Sequence, residues 1–300
     1  MKKNIQMVMM VLVVFAAWTF GTAFAGSEKP MQAGVAAAVK GEVKATTPPG
    51  KAAHPLKSGD QVFMGDKIET GADGQLQILL LDQTVFTLGP LGGIVVDEFM
   101  YDPTNDNGKV KASMMKGIFR VVSGKVAHKK PENMSVDLPA GSIGFRGTNV
   151  AGIIDGQRSM IVLLGPVGTG RIYVTNIVNG EVVGVDIDQA GNATIVEGTN
   201  SAPTAVFQVS EADLNRIARA LTQQATGTGA DTTGVDMRAT SLPKGQVNAQ
   251  ALMDLLNNAD DLNQTSTVGA QNAAQKSAQD NTHHTGSQDQ GSHSIKSTGV

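Results

Sequence analysis

Residues 75–88 read Gln-Leu-Gln-Ile-Leu-Leu-Leu-Asp-Gln-Thr-Val-Phe-Thr-Leu. Polar and apolar side chains alternate through Gln75-Leu76-Gln77-Ile78, the period of a strand that sends successive residues to opposite faces. The aliphatic run stops at Asp82, and β-branched and aromatic residues resume from Thr84 to Leu88. Two short strands separated by a polar break are the pattern that the rest of the chain repeats.

That texture extends from Gly34 to about Val209. Runs such as Gly117 to Val122, Ser159 to Leu164 and Ile172 to Val178 are separated by Gly, Asp, Asn and Pro. Strands at intervals of ~8–12 residues predict an all-β fold: a Gly-rich sandwich, roll or β-solenoid of short strands. Glycine supplies 35 of the 300 residues, above the usual ~7%, and it gathers at the breaks where tight reversal is needed. The pairs Gly59-Asp60 and Gly65-Asp66, followed by Gly71, are read as structural turns, because Asp beside Gly accepts nearby backbone N–H groups.

A helix is predicted over 210–225. Ser210 can cap it, Asp213 sits three residues later, and Leu214, Ile217, Ala218 and Leu221 recur at helical spacing. The apolar stripe would dock on the sheet or on a partner. Residues 226–300 turn to Gly, Thr, Ala, Gln, Asn and Ser, with one apolar cluster at Leu252, Leu255 and Leu256. They are expected to form a mostly disordered polar tail, having too little apolar surface to offset chain entropy.

Residues 1–25 are read as a signal peptide: Lys2 and Lys3, an apolar run from Met7 to Ala17, then Ala23-Phe24-Ala25, with cleavage before Gly26. The alternative is an uncleaved anchor, since 7–25 approaches the ~20 residues that cross a bilayer. The expected compartment is periplasmic or secreted, and the membrane is met only through this segment before cleavage. The chain has no cysteine, which excludes a disulfide framework and thiolate metal sites. A net charge of −3 and few aromatic residues give no footprint for nucleic acid.

Catalytic and cofactor patterns fail on particular residues. Gly165 to Arg171 is glycine-rich but lacks the Lys-Ser/Thr of a phosphate loop, and a hairpin turn is expected there. The acidic loop Asp102 to Gly108 puts Pro103 and Met114 where an EF-hand needs ligands, leaving at most a weaker carbonyl-and-carboxylate Ca²⁺ site. His283, His284 and His293 lie in the tail, and His54 and His128 have no neighbouring nucleophile or acid pattern. Asp97-Glu98, and Asp186 with Asp188, are read as solvated strand faces. No enzyme, cofactor or metal is expected.

From Gly59 to Val150 the sequence resembles the FecR domain family. The resemblance rests on five ordered segments. They are Gly65-Asp66-Lys67-Ile68-Glu69-Thr70-Gly71, Leu79 to Asp82, Gly117-Ile118-Phe119-Arg120-Val121-Val122-Ser123-Gly124, Pro139 to Gly144, and Arg146-Gly147-Thr148. Its well-known members are inner-membrane regulators of iron uptake that relay a signal from an outer-membrane receptor to a cytoplasmic sigma factor. Only six residues precede the apolar segment here, so the expected protein is an exported FecR-like module without the anti-sigma segment.

Phe119 is expected to alternate with an exposed Arg120. Arg146, with Gly147 and Thr148, is the candidate binding segment, because a guanidinium can hold a carboxylate bidentately. The other reading of Arg146 is a salt bridge to Asp82, Asp97 or Glu98 that pins strands. The expected function is binding of an envelope protein or polymer, with a sensory role open. The alternatives are a self-associating surface or matrix protein and, against the failed motifs, an envelope hydrolase.

Overall fold

The computed structural model describes residues 30–47, 52–165, 168 and 170–222. The expected signal peptide and polar tail lie outside the described residues. The first half of the described chain forms β1 (Gln32–Lys40), β2 (Val43–Thr46), β3 (His54–Pro55), β4 (Gln61–Phe63), β5 (Lys67–Thr70), β6 (Gln75–Leu80), β7 (Val85–Leu88) and β8 (Gly93–Asp102). Next come the long β9 (Asn107–Val122), a short helix α1 (Lys125–Lys129), a 3-10 turn (Pro131–Asn133), β10 (Met134–Asp137) and β11 (Ser142–Arg146). The second half continues with β12 (Asn149–Asp155), β13 (Arg158–Gly165), β14 (Arg171–Val178), β15 (Glu181–Ile187), β16 (Asn192–Glu197), β17 (Phe207–Gln208) and helix α2 (Glu211–Thr222).

Of the architectures that the pattern allows, the strands adopt a two-sheet sandwich. Sheet A runs β4–β1–β6–β7–β9–β12–β13–β16–β17. Sheet B runs β3–β2–β5–β8–β9–β10–β11–β14–β15. The β9–β10 pair is parallel and the others are antiparallel. Strand β9 belongs to both sheets: Asn107 to Lys116 pairs with β8, and Gly117 to Val122 pairs with β12. The change of sheet falls at Gly117, whose φ of +89° is open to glycine, and a Cβ there would come 2.7 Å from Gly92 Cα.

The alternation read in residues 75–80 is realised as half-buried and buried positions in turn. Leu76, Ile78, Leu80, Phe86 and Leu88 enter the core between the sheets, where they meet Ile68, Ile94, Val136, Ile143 and Phe145 from sheet B. A second core lies on the outer face of sheet A. Leu214, Ile217 and Ala218 of α2 cover Ile118, Ala151, Ile153, Met160, Val162 and Ile195 there. Ser210 caps α2 as its spacing predicts: its Oγ accepts the Asp213 amide at 3.0 Å and donates to the Asp213 carboxylate at 2.5 Å.

Two local expectations are corrected. Arg120 is buried at 6% exposure, because the outer side of sheet A at β9 is not solvent but the layer that α2 covers. Residues 165–171 do not join a hairpin: β13 pairs with β12 and β16 in sheet A, whereas β14 pairs with β11 and β15 in sheet B. Glycine in that segment serves a crossing between sheets.

Candidate binding face

The Arg146-Gly147-Thr148 segment is a corner where the chain leaves β11 in sheet B and enters β12 in sheet A. Gly147 makes the bend at φ +58°, with His128 packed so that a Cβ would lie 2.9 Å from its ring. Thr148 is buried and fastened on three sides. Its amide donates to Ser123 Oγ at 2.8 Å, its hydroxyl donates to the Gly165 carbonyl at 2.6 Å, and its own carbonyl accepts the Ser123 amide at 3.0 Å. Asn149, next along, accepts Arg120 Nε at 3.0 Å. Arg146 is exposed at the end of β11 and stands directly across from Arg171 of β14.

The three acids offered as salt-bridge partners for Arg146 are engaged elsewhere. Asp97 accepts the Ser113 hydroxyl at 2.7 Å and Glu98 pairs with Lys109 at 2.9 Å. Asp82 is fully buried. It accepts the Thr84 amide at 3.0 Å and hydroxyl at 2.8 Å, while Gly124 donates to the same Thr84 oxygen at 3.0 Å. Burial pushes the Asp82 carboxyl above its ordinary value, against hydrogen bonds from Thr84 and Val126 that favour the anion. Asp82 ties the β6–β7 turn to the start of α1, and among the described residues no ion pair to Arg146 spans the strands.

The Gly-Asp pairs repeat one geometry. Asp60 Oδ2 accepts the Lys57 amide at 2.7 Å, and Asp66 Oδ2 accepts the Phe63 amide at 2.8 Å, each three residues back. Gly59 and Gly65 have φ of +89° and +86°. Gly71 differs, because its need is space: a Cβ would meet Glu42 at 3.0 Å. In the loop 102–108, Asp102 accepts Thr104 Oγ1 at 2.6 Å and Asn105 Nδ2 at 2.6 Å, and Asp106 accepts the Tyr101 hydroxyl at 2.6 Å. Lys125 approaches Asp106 to 3.6 Å and Lys129 donates to the Asn105 carbonyl. The acids of this loop are thus spent on the loop itself and on lysines, and among the described residues no group of three or more His, Asp or Glu is placed to hold a metal.

The outer faces of the two sheets differ. That of sheet A carries α2, while among the described residues no element covers that of sheet B across β11, β14 and β15. Cross-strand register sets Gly144, Tyr173 and Asp186 in one row and Ser142, Thr175 and Gly184 in the next. Ile177 and Val182 pair at one end of this face, at 60% and 69% exposure, and Arg146 and Arg171 stand at the other. Arg171 reaches Asp188 at 3.5 Å, whereas no acid of the described residues pairs with Arg146. The Tyr173 ring leans over Gly184, where a Cβ would lie 2.8 Å from its Cζ. Of these residues Arg146 was legible as a candidate. Tyr173, Ile177 and Val182 were not singled out, although the alternation from Arg171 to Val178 marks which of them share a side.

These features define an all-β sandwich of short strands, with corners built from Gly, Asp and Thr and one sheet face that the described residues leave bare. Residues 66–167 match the family model described as FecR protein, and the chain carries a FecR domain across that span. The match begins ahead of β5 and ends after β13, so the described fold extends beyond it on both sides. Two crystal structures of a provisionally assigned anti-sigma factor from Parabacteroides distasonis ATCC 8503, at 2.50 and 1.65 Å, are similar at 14% identity and a TM-score of 0.35. Each alignment covers 50% of this chain, and the chain spans 62% and 63% of the two structures. No curated protein matches the sequence. No helix among the described residues is long and apolar enough to cross a membrane.

Proposed function

We propose that this protein is an exported, non-enzymatic FecR-like sensory module, which binds an envelope protein or polymer on the open face of sheet B. The observation that carries the reading is the contrast between the two outer faces. The chain's own helix buries the apolar surface of sheet A, yet Tyr173, Ile177 and Val182 stay exposed around a floor of Gly144, Ser142 and Gly184. Exposed apolar side chains grouped on one face mark interaction surfaces more often than isolated ones do. Arg146 and Arg171 would anchor a carboxylate at the end of that face. The charged start, apolar run and Ala-Phe-Ala of residues 1–25 support export.

The test is photo-cross-linking in the intact envelope from a reactive residue at Ile177, compared with one at exposed Lys57 on the far half of the molecule. Defined adducts from position 177, weakened by Arg146→Ala at matched abundance, are expected. Adducts equal at both positions, or none, would remove the reading, and adducts only with the protein itself would favour a self-associating surface component.

A further inference from the structure

The two sheets leave four edges among the described residues: β4 and β17 in sheet A, β3 and β15 in sheet B. A free edge presents unpaired N–H and C=O groups, and proteins blunt such edges with short strands, proline or lysine. Three of these edges follow that rule. β3 spans two residues and contains Pro55, β4 spans three, and β17 spans two. β15 departs from it in length and in lacking proline and lysine: it runs seven residues, Glu-Val-Val-Gly-Val-Asp-Ile, and its charges are the two acids Glu181 and Asp186. It pairs with β14 alone, and no turn or loop backbone of the described residues hydrogen-bonds to it.

We infer that β15 is the docking strand for an extended peptide, which adds to sheet B as a further strand and whose outward side chains are apolar opposite Val182 and Gly184 and cationic opposite Asp186. This inference rests on the proposed binding role of the sheet B face and names the ligand class. Main-chain hydrogen bonds supply affinity in strand addition, and side-chain positions at a spacing of two supply selectivity. On the outward side of β15 those positions are Val182, Gly184 and Asp186. An apolar residue belongs opposite Val182. The place beside Gly184 is bordered by the Tyr173 ring, which suits an apolar or flat side chain. A lysine or arginine belongs opposite Asp186, and Glu181 at the strand's start adds a second negative charge. Asp188 is already turned to Arg171.

A second copy of this chain fits the edge less well. β15 contains two acids and no cation. In any register a β15–β15 pair therefore leaves Glu181 and Asp186 without an opposite charge on the facing strand. Parallel in-register pairing would stack like charges, which is unfavourable at cross-strand distance.

The experiment uses the protein as isolated in its processed form from the envelope, and two synthetic peptides with threonine at every second position, one with valine, valine and lysine at the positions between and the other with valine, valine and glutamate there. Binding isotherms and hydrogen exchange at β15 amides are recorded for the native protein, Val182→Lys and Asp186→Lys. Both substituted side chains are exposed, so folding is kept, and circular dichroism checks it. The lysine peptide is expected to bind and slow exchange in β15, to weaken about tenfold with Asp186→Lys as an attraction becomes a repulsion, and to weaken with Val182→Lys. The glutamate peptide should gain where the lysine peptide loses. Equal binding of both peptides to all three proteins, or binding that leaves β15 exchange unchanged, overturns the inference. A dimer in sedimentation that Val182→Lys dissociates overturns it in favour of a second copy. Adducts from Ile177 without β15 protection would leave the binding face standing and remove only the strand-addition mode.

Discussion

Arg120 on β9 donates its Nε to Asn149 Oδ1 on the neighbouring β12 at 3.0 Å, and both residues are buried in sheet A. A buried guanidinium is costly unless its donors are satisfied. Removing an acceptor from it should therefore be felt, whereas removing the exposed Arg146 should not. Asn149→Ala is expected to destabilise the fold by roughly 1–3 kcal/mol, and Arg146→Ala by less than ~0.5 kcal/mol. Urea unfolding of the two variants beside the native protein checks this, and equal losses would refute it.

Asp82 gives a pH dependence opposite to that of most paired carboxylates. Burial holds its folded pKa above the ordinary Asp value. Between those two values the folded state carries more bound proton than the unfolded chain. Its contribution is full below the ordinary Asp pKa and is lost as pH rises through the raised folded value. The stability of the native protein minus that of Asp82→Asn should accordingly grow as pH falls from neutrality toward the ordinary Asp range. A difference that stays flat or shrinks in that direction would show that the hydrogen bonds from Thr84 and Val126 outweigh burial.

Close approach, not conformational freedom, makes Gly34 irreplaceable. A Cβ there would sit 2.2 Å from the Leu79 carbonyl oxygen, across the β1–β6 pair. Gly144, on the open face, has only Tyr173 O at 3.7 Å. Gly34→Ala should cost about 3 kcal/mol through backbone displacement, and Gly144→Ala less than ~0.5 kcal/mol. Thermal melts of both variants decide the matter.

Helix α2 should behave as part of the core. Ile217 is buried against the outer face of sheet A, so Ile217→Ala is expected to cost about 2–5 kcal/mol. Ser210→Ala removes the cap and should cost ~1 kcal/mol. If Ile217→Ala were neutral in urea unfolding, the helix would be a loosely held appendage.

The strands were readable because alternation and glycine breaks are local signals, and so was α2, whose cap and apolar stripe lie within twelve residues. What each strand faces is not local. Phe119 and Arg120 look like an inside–outside pair until α2, some ninety residues later, covers the outward side. The crossing at 165–171 resembles a hairpin because glycine marks reversals and corners alike. The same limit applies to β15. Nothing within Glu181 to Ile187 says that it is an edge, since that depends on which strand pairs with β14 on its other side, and that strand is β11, about thirty residues earlier. Arg146 stood out by its residue type, whereas the apolar face beside it emerges only once β14 and β15 are laid side by side.

A strand held in common by two sheets also sets the order of events during folding. Neither sheet has a continuous ladder until β9 is in place, since β7 and β12 meet on its second part and β8 and β10 on its first. The halves on either side of β9 are therefore expected to mature together rather than as separate foldons, and most pairings close over long stretches of chain. Such topologies fold slowly, on the millisecond-to-second scale. A nascent chain that stops short of Val122 has its first eight strands without the central ladder and leaves their apolar faces exposed, which makes the interval before β9 is completed the period of greatest vulnerability to aggregation and proteolysis.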